Sequence, residues 1–278
     1  MPDTPLSTDA DQAQKYIVPG LQRGLQILRA FNRNRPEIGA PEIAKELEIP
    51  RSTVFRLMQT LEYMGFLEKT GNGSDYRLSS AVLSLGFEYL ASLEITELAK
   101  PVIEKLRDET GHTAHMVLRD GKDVVFVVKA VARTTLASIV NIGTRLPAHG
   151  TVLGRQFLAD LTDDELAALY PRGELDAFSD QTPPSLAALK ETLAADRARG
   201  YAISQSFYER GVAAIAAPVR DETGRVVAAL NITYQDGVVS KDEIEGPLLS
   251  AVLDAAETLS RQLNYHPAEE SQRMRQSA

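Results

Sequence analysis

Polar and basic residues recur at helical spacing in one short segment near the N-terminus, residues 50–66. At about 100° per residue, Ser52, Arg56, Gln59 and Tyr63 fall on one side of a helix. Arginine and glutamine side chains offer the paired hydrogen-bonding groups that recognise guanine and adenine in the major groove. The segment therefore predicts hydrogen bonding to base edges, with Arg56 and Gln59 as the reading residues.

The opposite face of the same segment predicts how this helix is held. Val54, Leu57, Met58 and Leu61 follow the i, i+3, i+4, i+7 spacing of one buried face. Gly65 is a natural stop just past the helix. A second helix begins at 39–41, and the connection 48–50 is short enough for two helices to cross steeply.

A further helix and a hairpin complete a predicted winged helix-turn-helix domain. Strands at 66–69 and 75–78 are expected to pair across a tip that contains two glycines and an asparagine. An upstream helix from Leu21 to Phe31 is expected to close a three-helix core. The apolar residues assigned to the inner faces of the two upstream helices are Leu21, Leu25, Leu28, Ile43, Ala44 and Leu47.

The charge distribution places double-stranded DNA at this end of the chain. Residues 15–77 hold ten Lys/Arg against seven Asp/Glu, a net charge of +3, so the rest of the −8 chain carries −11. One such domain would bind phosphates weakly, which predicts a dimer that reads two half-sites of a palindromic operator. The residues expected to contact phosphates are Arg23, Arg51, Ser52, Thr53, Lys69 and Arg77.

Length and composition limit the remaining function classes. With 278 residues the chain has room for about two domains. The absence of cysteine excludes disulfides, thiol chemistry and thiolate metal sites. Residues 1–14 are polar and lack the apolar stretch of a signal peptide, and no apolar run is long enough for a membrane span. We therefore expect a cytoplasmic protein without a membrane partner, with disordered tails at 1–14 and 266–278.

The pattern after the wing predicts an α+β domain. Antiparallel strands at 113–118, 124–131, 136–142, 201–205, 212–220 and 226–234 are interleaved with helices, which we expect to pack on one side of the sheet. The apolar helix before this domain is either buried within the chain or a dimer seam, and we favour the seam. The predicted boundaries are 15–79 for the winged helix-turn-helix, 80–94 for the linker helix and 95–265 for the second domain.

Four motifs now carry a family resemblance. The sequence resembles the IclR family of transcriptional regulators at Leu21–Leu28, Pro50–Leu57, Gly143–His149 and Gly211–Val219, and the match runs from about residue 16 to 263. The resemblance implies a GAF-like effector-binding second domain, and homodimers that often pair into dimers of dimers. The stretch from Gly143 is most similar to the branch that includes PcaU, PcaR and PobR, which respond to aromatic acids or their breakdown products.

The resemblance also implies where a small organic acid effector would bind. The free N–H groups at the start of a helix at Gly150 would favour a carboxylate. Asn231 and Thr233 share one face of their strand, which is either pocket-lining or solvent-facing. Relatives that bind small oxo-acids often have small hydroxyl residues at the last-strand positions, so Asn231 departs from that pattern. The implied effector-binding residues are His149, Val152, Leu153, Ser204, Val212, Ala214, Asn231 and Thr233.

Several alternatives stay open at this point. His149 either lines the pocket or caps the following helix, and Arg145 either binds a carboxylate or fixes its loop or a subunit contact. His112 and His115 are spaced like metal ligands but are more simply a chance pair, so no metal or cofactor is expected. The function alternatives are a sensor of an aliphatic oxo-acid, a ligand-independent DNA-binding protein, and an enzyme, for which no catalytic motif is found.

Overall fold

The structure is a computed structural model that describes residues 16–266, except 33, 72, 92–93, 134–139, 206–207 and 209–210. The chain divides into two compact units, Met1–Leu90 and Ala91–Ala278. The predicted tail 1–14, and all but the first residue of the predicted tail 266–278, lie outside the described residues. Within the described residues, no helix is long and apolar enough to cross a membrane.

The first unit is the winged helix-turn-helix that the sequence predicts. One three-stranded antiparallel sheet, with strand order β1-β3-β2, packs beside three helices. Gly65 has φ +79° just beyond the recognition helix, where a left-handed residue ends the helix. The elements are α1 (Pro19–Ala30), β1 (Glu37–Gly39), α2 (Ala40–Glu46), α3 (Arg51–Tyr63), β2 (Leu67–Lys69), β3 (Asp75–Leu78) and α4 (Ala81–Ala91).

The core of this unit differs from the prediction in α1. Ile27 is fully buried and Phe31 is nearly so, whereas Leu21 and Leu25 are 65% and 53% exposed. The expectation that Leu21 and Leu25 close the core was wrong, because only a narrow stripe of α1 packs against the rest of the unit. Leu28 does pack against the core. Leu21 and Leu25 instead border an open apolar groove shared with α3 and Leu85.

The predicted linker helix corresponds to α4. Leu83 and Leu85 are 73% and 60% exposed on this helix, so its first turns present apolar side chains to solvent in the single chain. The side chains of residues 87–93 lie outside the described part. The dimer seam therefore stays a prediction.

The second unit is an α+β domain built on one six-stranded antiparallel sheet. Its strand order is β6-β5-β4-β9-β8-β7. The strands are β4 (Thr113–Asp120), β5 (Asp123–Ala130), β6 (Arg145–Pro147), β7 (Ala202–Gln205), β8 (Val212–Arg220) and β9 (Val226–Gln235). The helices are α5 (Glu94–Thr110), a 3₁₀ turn (Ala148–Gly150), α6 (Val152–Ala159), α7 (Asp163–Leu169), α8 (Leu186–Arg199), α9 (Lys241–Glu243), a π-helical segment (Ile244–Leu248) and α10 (Leu249–Gln262).

Helices cover both faces of this sheet, which corrects the expectation of one covered side. All residues from Ala213 to Ala217 in β8 are buried, although alternate residues of a strand point to opposite faces. Ala214 and Ala216 share a core cluster with α6, α7 and α8. The long helices α5 and α10 contact each other and also the sheet, so they cover the other face.

The third predicted strand, at 136–142, is not confirmed. Residues 136–139 lie outside the described residues, and 140–142 form no strand. The strand beside β5 is instead β6, which pairs Val125 with Arg145. The last predicted helix is interrupted by the π-helical segment around Pro247, because proline supplies no N–H for the regular helical ladder.

Candidate DNA-binding surface and effector pocket

The recognition helix α3 presents part of its predicted polar face to solvent. Val54 and Met58 are fully buried, and they fix the rotation of the helix against the core. Arg51, Ser52 and Arg56 are exposed on the other side. This arrangement leaves the Arg56 guanidinium on the outer face of the helix.

Two further residues expected to contact phosphate are less exposed. Thr53, in the first turn of α3, and Arg23, on α1, are both half-buried. The backbone N–H of Thr53 donates to the Pro50 carbonyl at 2.9 Å.

Gln59 is engaged within the protein. Its Nε2 donates to Glu62 Oε2 and to the Tyr76 hydroxyl, each at 3.2 Å. Tyr76 belongs to β3 of the wing and is only 2% exposed. The residue that the sequence predicts to read a base therefore bonds the recognition helix to the wing.

The two cations of the wing also have partners. Lys69 Nζ lies 3.3 Å from Glu62 Oε2, and the hydrogen bond to Glu62 is the main reason why the pKa of Lys69 is raised. Arg77 Nε lies 2.6 Å from Glu68 Oε1, across the β2–β3 pair. Both ion pairs are solvent-exposed enough for a phosphate to compete for the cation.

The predicted effector residues of the sheet lie on one face. Antiparallel register places Ala214 opposite Thr233 on one side and opposite Ser204 on the other. Val212 and Asn231 lie two residues away along their strands, so period-two alternation puts them on the same face. This face packs against α6, because Val152, Leu153 and Ala214 share one core cluster.

His115 also lies on this face, although its spacing in the sequence raised it only as part of a chance metal-ligand pair. It is fully buried opposite Asn231, and its Nδ1 lies 3.2 Å from Asn231 Oδ1. Burial lowers the pKa of His115 to about 4, so the neutral ring donates its Nδ1–H and orients the carboxamide. The alternation of His115 with Thr113 and Val117 along β4 was the available signal.

Thr233 is tied to the neighbouring strand. Its hydroxyl donates to the Thr113 carbonyl at 3.3 Å, and the Thr113 hydroxyl accepts from the Ala132 backbone N–H at 3.1 Å. Thr233 keeps some solvent access. Its oxygen remains able to accept a hydrogen bond from a ligand.

The helix opposite this face begins at Val152, two residues later than the sequence predicts. Thr151 caps it by accepting from the Gly154 N–H at 3.0 Å. The backbone N–H groups of Val152 and Leu153 have no acceptor among the described residues. Both side chains are buried, so this helix start combines two donors with an apolar surface.

Four aromatic side chains, which we call the aromatic wall, lie beside the start of α6. The His149 ring lies 5.8 Å from Tyr170 and 5.6 Å from Phe178, and Phe178 lies 5.0 Å from Tyr208. The ring nitrogen Nε2 of His149 lies 3.0 Å from the Asp176 carbonyl. His149 thus belongs to an aromatic wall, and Thr151 supplies the cap. At Gly150 a Cβ would lie 2.7 Å from the Phe178 ring.

A buried ion pair anchors α6 to the rest of the unit. Arg155 Nε lies 2.9 Å from Asp196 Oδ2, with side chains only 4% and 1% exposed. The Arg155 guanidinium also donates to the Ile203 carbonyl at 3.1 Å. The pair therefore joins α6, α8 and β7.

Arg145 pairs with two carboxylates of a neighbouring turn. It lies 2.8 Å from Asp120 and 3.3 Å from Asp123, at the β4–β5 turn. His112 packs against Tyr234, away from the bond between His115 and Asn231. Among the described residues no group of three or more His, Cys, Asp or Glu is arranged to hold a metal ion.

A winged helix-turn-helix unit, together with an α+β unit that has a polar-lined core face, defines a DNA-binding transcriptional regulator with an effector domain. Residues 20–71 match the IclR helix-turn-helix domain, and residues 87–261 match the bacterial transcriptional regulator IclR C-terminal family. The chain therefore belongs to the IclR family of transcriptional regulators.

Similar proteins extend this match over most of the chain. It is 32% identical to the Pca regulon regulatory protein of Pseudomonas putida, over 89% of this chain and 84% of that protein. It is 31% identical to the transcriptional regulator XynR of Escherichia coli, over 90% and 98%. A solved transcriptional regulator from Rhodococcus sp. RHA1 superposes with a TM-score of 0.80 at 30% identity, covering 89% and 99%.

Proposed function

We propose that the protein regulates a catabolic operon in response to an aromatic acid such as protocatechuate or 4-hydroxybenzoate. The observation that carries this proposal is the start of α6. There, two backbone N–H groups, at Val152 and Leu153, adjoin buried apolar side chains and an aromatic wall. An aromatic acid has the matching chemistry, because its carboxylate binds helix N-termini and its ring packs on apolar and aromatic surface.

The ring substituent would face the sheet. Asn231 and Thr233 lie on the face that packs against α6. Ser204 lies on the same face, because Ala214 is the register partner of both Ser204 and Thr233. Their amide and hydroxyl groups can bond the phenolic hydroxyls that distinguish these acids from benzoate. The similarity to the Pca regulon regulatory protein is consistent with the branch that the stretch from Gly143 resembles.

Through its first unit, the protein binds a palindromic operator as a homodimer or a dimer of dimers. Arg56 contacts base edges, and Arg23, Arg51, Ser52, Thr53, Lys69 and Arg77 contact phosphates. Effector binding changes the relative placement of two DNA-binding units, which alters the affinity for paired half-sites.

Protocatechuate and 4-hydroxybenzoate are expected to raise the melting temperature and to shift the affinity for the DNA upstream of the protein's own gene at fixed salt. At a free concentration of about one hundred times its Kd, a ligand stabilises the native state by about 2.7 kcal/mol. Benzoate and pyruvate serve as matched controls. Stabilisation by pyruvate alone would favour an aliphatic oxo-acid sensor, and no effect of any acid would favour ligand-independent DNA binding.

Arg56→Ala is expected to weaken operator binding by about 1–3 kcal/mol and to relax sequence preference, because a base-edge contact is lost. The measurement is a titration of the operator and of a scrambled duplex at several salt concentrations. Arg29→Ala removes an exposed arginine of α1 in the same unit and should leave sequence preference intact. An unchanged preference in Arg56→Ala would contradict the assignment.

A further inference from the structure

One carboxylate joins the recognition helix to both strands of the wing. Oε2 of Glu62 lies 3.2 Å from Gln59 Nε2, 3.4 Å from the Tyr76 hydroxyl and 3.3 Å from Lys69 Nζ. Gln59 and Glu62 belong to α3, Lys69 to β2 and Tyr76 to β3. We call these four residues the helix–wing cluster.

One member of the helix–wing cluster is part of the hydrophobic core. The Tyr76 ring belongs to the hydrophobic core that also holds Val54 and Met58 of the recognition helix, so its hydroxyl marks a fixed point at the core boundary. Lys69 and Tyr76 are direct partners in the β2–β3 register, and Lys69 Nζ lies 5.8 Å from the centre of the Tyr76 ring. Movement of either strand relative to α3 would break at least one of these contacts.

We propose that Glu62 is a positioning residue for DNA recognition. It sets the wing against the recognition helix, so that base and phosphate contacts form in one register, and it neutralises Lys69 in the free protein. This inference rests on the DNA-contact residues proposed above. Because Glu62 keeps Lys69 paired, a phosphate must compete with the Glu62 carboxylate for the Lys69 ammonium group.

The same geometry assigns Gln59 a different task from the one its sequence position suggests. Bidentate reading of adenine uses both the amide nitrogen and the amide oxygen of a glutamine. Here Nε2 already serves two acceptors within the protein. Gln59 therefore contributes to recognition through the wing, and Arg56 is the base reader of this helix.

The second ion pair of the wing provides a matched control. Glu68 and Arg77 are cross-strand partners and pair at 2.6 Å within the β2–β3 hairpin. Glu68→Gln releases a cation, as Glu62→Gln does, but leaves the helix–wing cluster intact. Tyr76→Phe removes two hydrogen bonds of the cluster and leaves every charge in place.

The experiment compares full-length wild type, Glu62→Gln, Glu68→Gln and Tyr76→Phe in titrations against the upstream DNA and a scrambled duplex over a range of salt. For Glu62→Gln we expect the affinity ratio between the two DNAs to fall by about tenfold. The slope of log affinity against log salt concentration should also steepen by about one. For Glu68→Gln only the slope should steepen. For Tyr76→Phe only the affinity ratio should fall.

Three results would overturn the proposal. They are an unchanged affinity ratio in folded Glu62→Gln and Tyr76→Phe, an equal loss of ratio in Glu68→Gln, and a changed preference at one base pair only, which would make Glu62 itself a base contact. Melting temperatures identify a variant that does not fold. If Glu62→Gln does not fold, the affinity ratio of Tyr76→Phe alone tests the proposal. If wild type fails to distinguish the two DNAs, the proposed operator is wrong and the assay is repeated on a selected binding site.

Discussion

Gly154→Ala is expected to lower the free energy of unfolding of the second unit by about 3 kcal/mol, the upper end of the usual range for overpacked sites. An added Cβ would lie 2.1 Å from the carbonyl oxygen of Ala148 and 2.3 Å from its Cα. Both are backbone atoms, so no side chain can rotate away. Either the 3₁₀ turn or the start of α6 must shift, which would also displace the N–H groups of Val152 and Leu153.

The measurement is urea denaturation followed by circular dichroism, together with titration of the effector that stabilises wild type. Gly24→Ala is the matched control, since Gly24 is also helical but has open space around its Cβ position. That change should be neutral or stabilising, by up to about 1 kcal/mol. If Gly154→Ala keeps the stability and the effector affinity of wild type, the close contact with Ala148 relaxes at little cost.

Asp196→Ala is expected to lower the free energy of unfolding by about 3–5 kcal/mol, because it leaves the guanidinium of Arg155 buried without its counter-charge. The 2.9 Å pair is almost completely inaccessible. Arg199 also lies 2.6 Å from Asp196, but Arg199 can turn to solvent. Chemical denaturation of wild type and variant measures the loss.

Two controls separate charge from packing in this case. Glu257→Ala removes one partner of an exposed ion pair, Glu257–Arg261, and should cost no more than about 0.5 kcal/mol. The double change Arg155→Met with Asp196→Leu removes both buried charges and should recover much of the loss. A double variant as unstable as Asp196→Ala would mean that shape, not the unpaired charge, causes the effect.

The elements with local signals were predicted well from the sequence. The recognition helix has four apolar residues at helical spacing and a terminal glycine, and its bounds are confirmed within a few residues. Thr162 and Glu165, three residues apart, form a capping box at the start of α7. Gly200 ends α8 with φ +80°. In each case the determining atoms lie within about four residues of one another.

Features that depend on distant partners were not predicted. Strands β1 and β6 have three residues each, too few for alternation to show. Arg155 and Asp196 meet through the packing of α6 on α8, which no local spacing encodes. The bond from Gln59 to Tyr76 likewise depends on how α3 is rotated relative to the wing. The helical spacing alone therefore predicted that Gln59 faces DNA.

The sheet of the second unit also has a consequence for how copies of the protein associate. In the part of the chain that the structure describes, the outermost strands β6 and β7 have three and four residues, whereas the four strands between them have eight to ten. Short edges, one of them with Pro147, offer few unpaired backbone groups to another sheet. Along these described edges, assembly by strand addition, and the fibrous aggregation that follows from it, is thereby disfavoured. We therefore expect the proposed dimers to associate through side-chain surfaces.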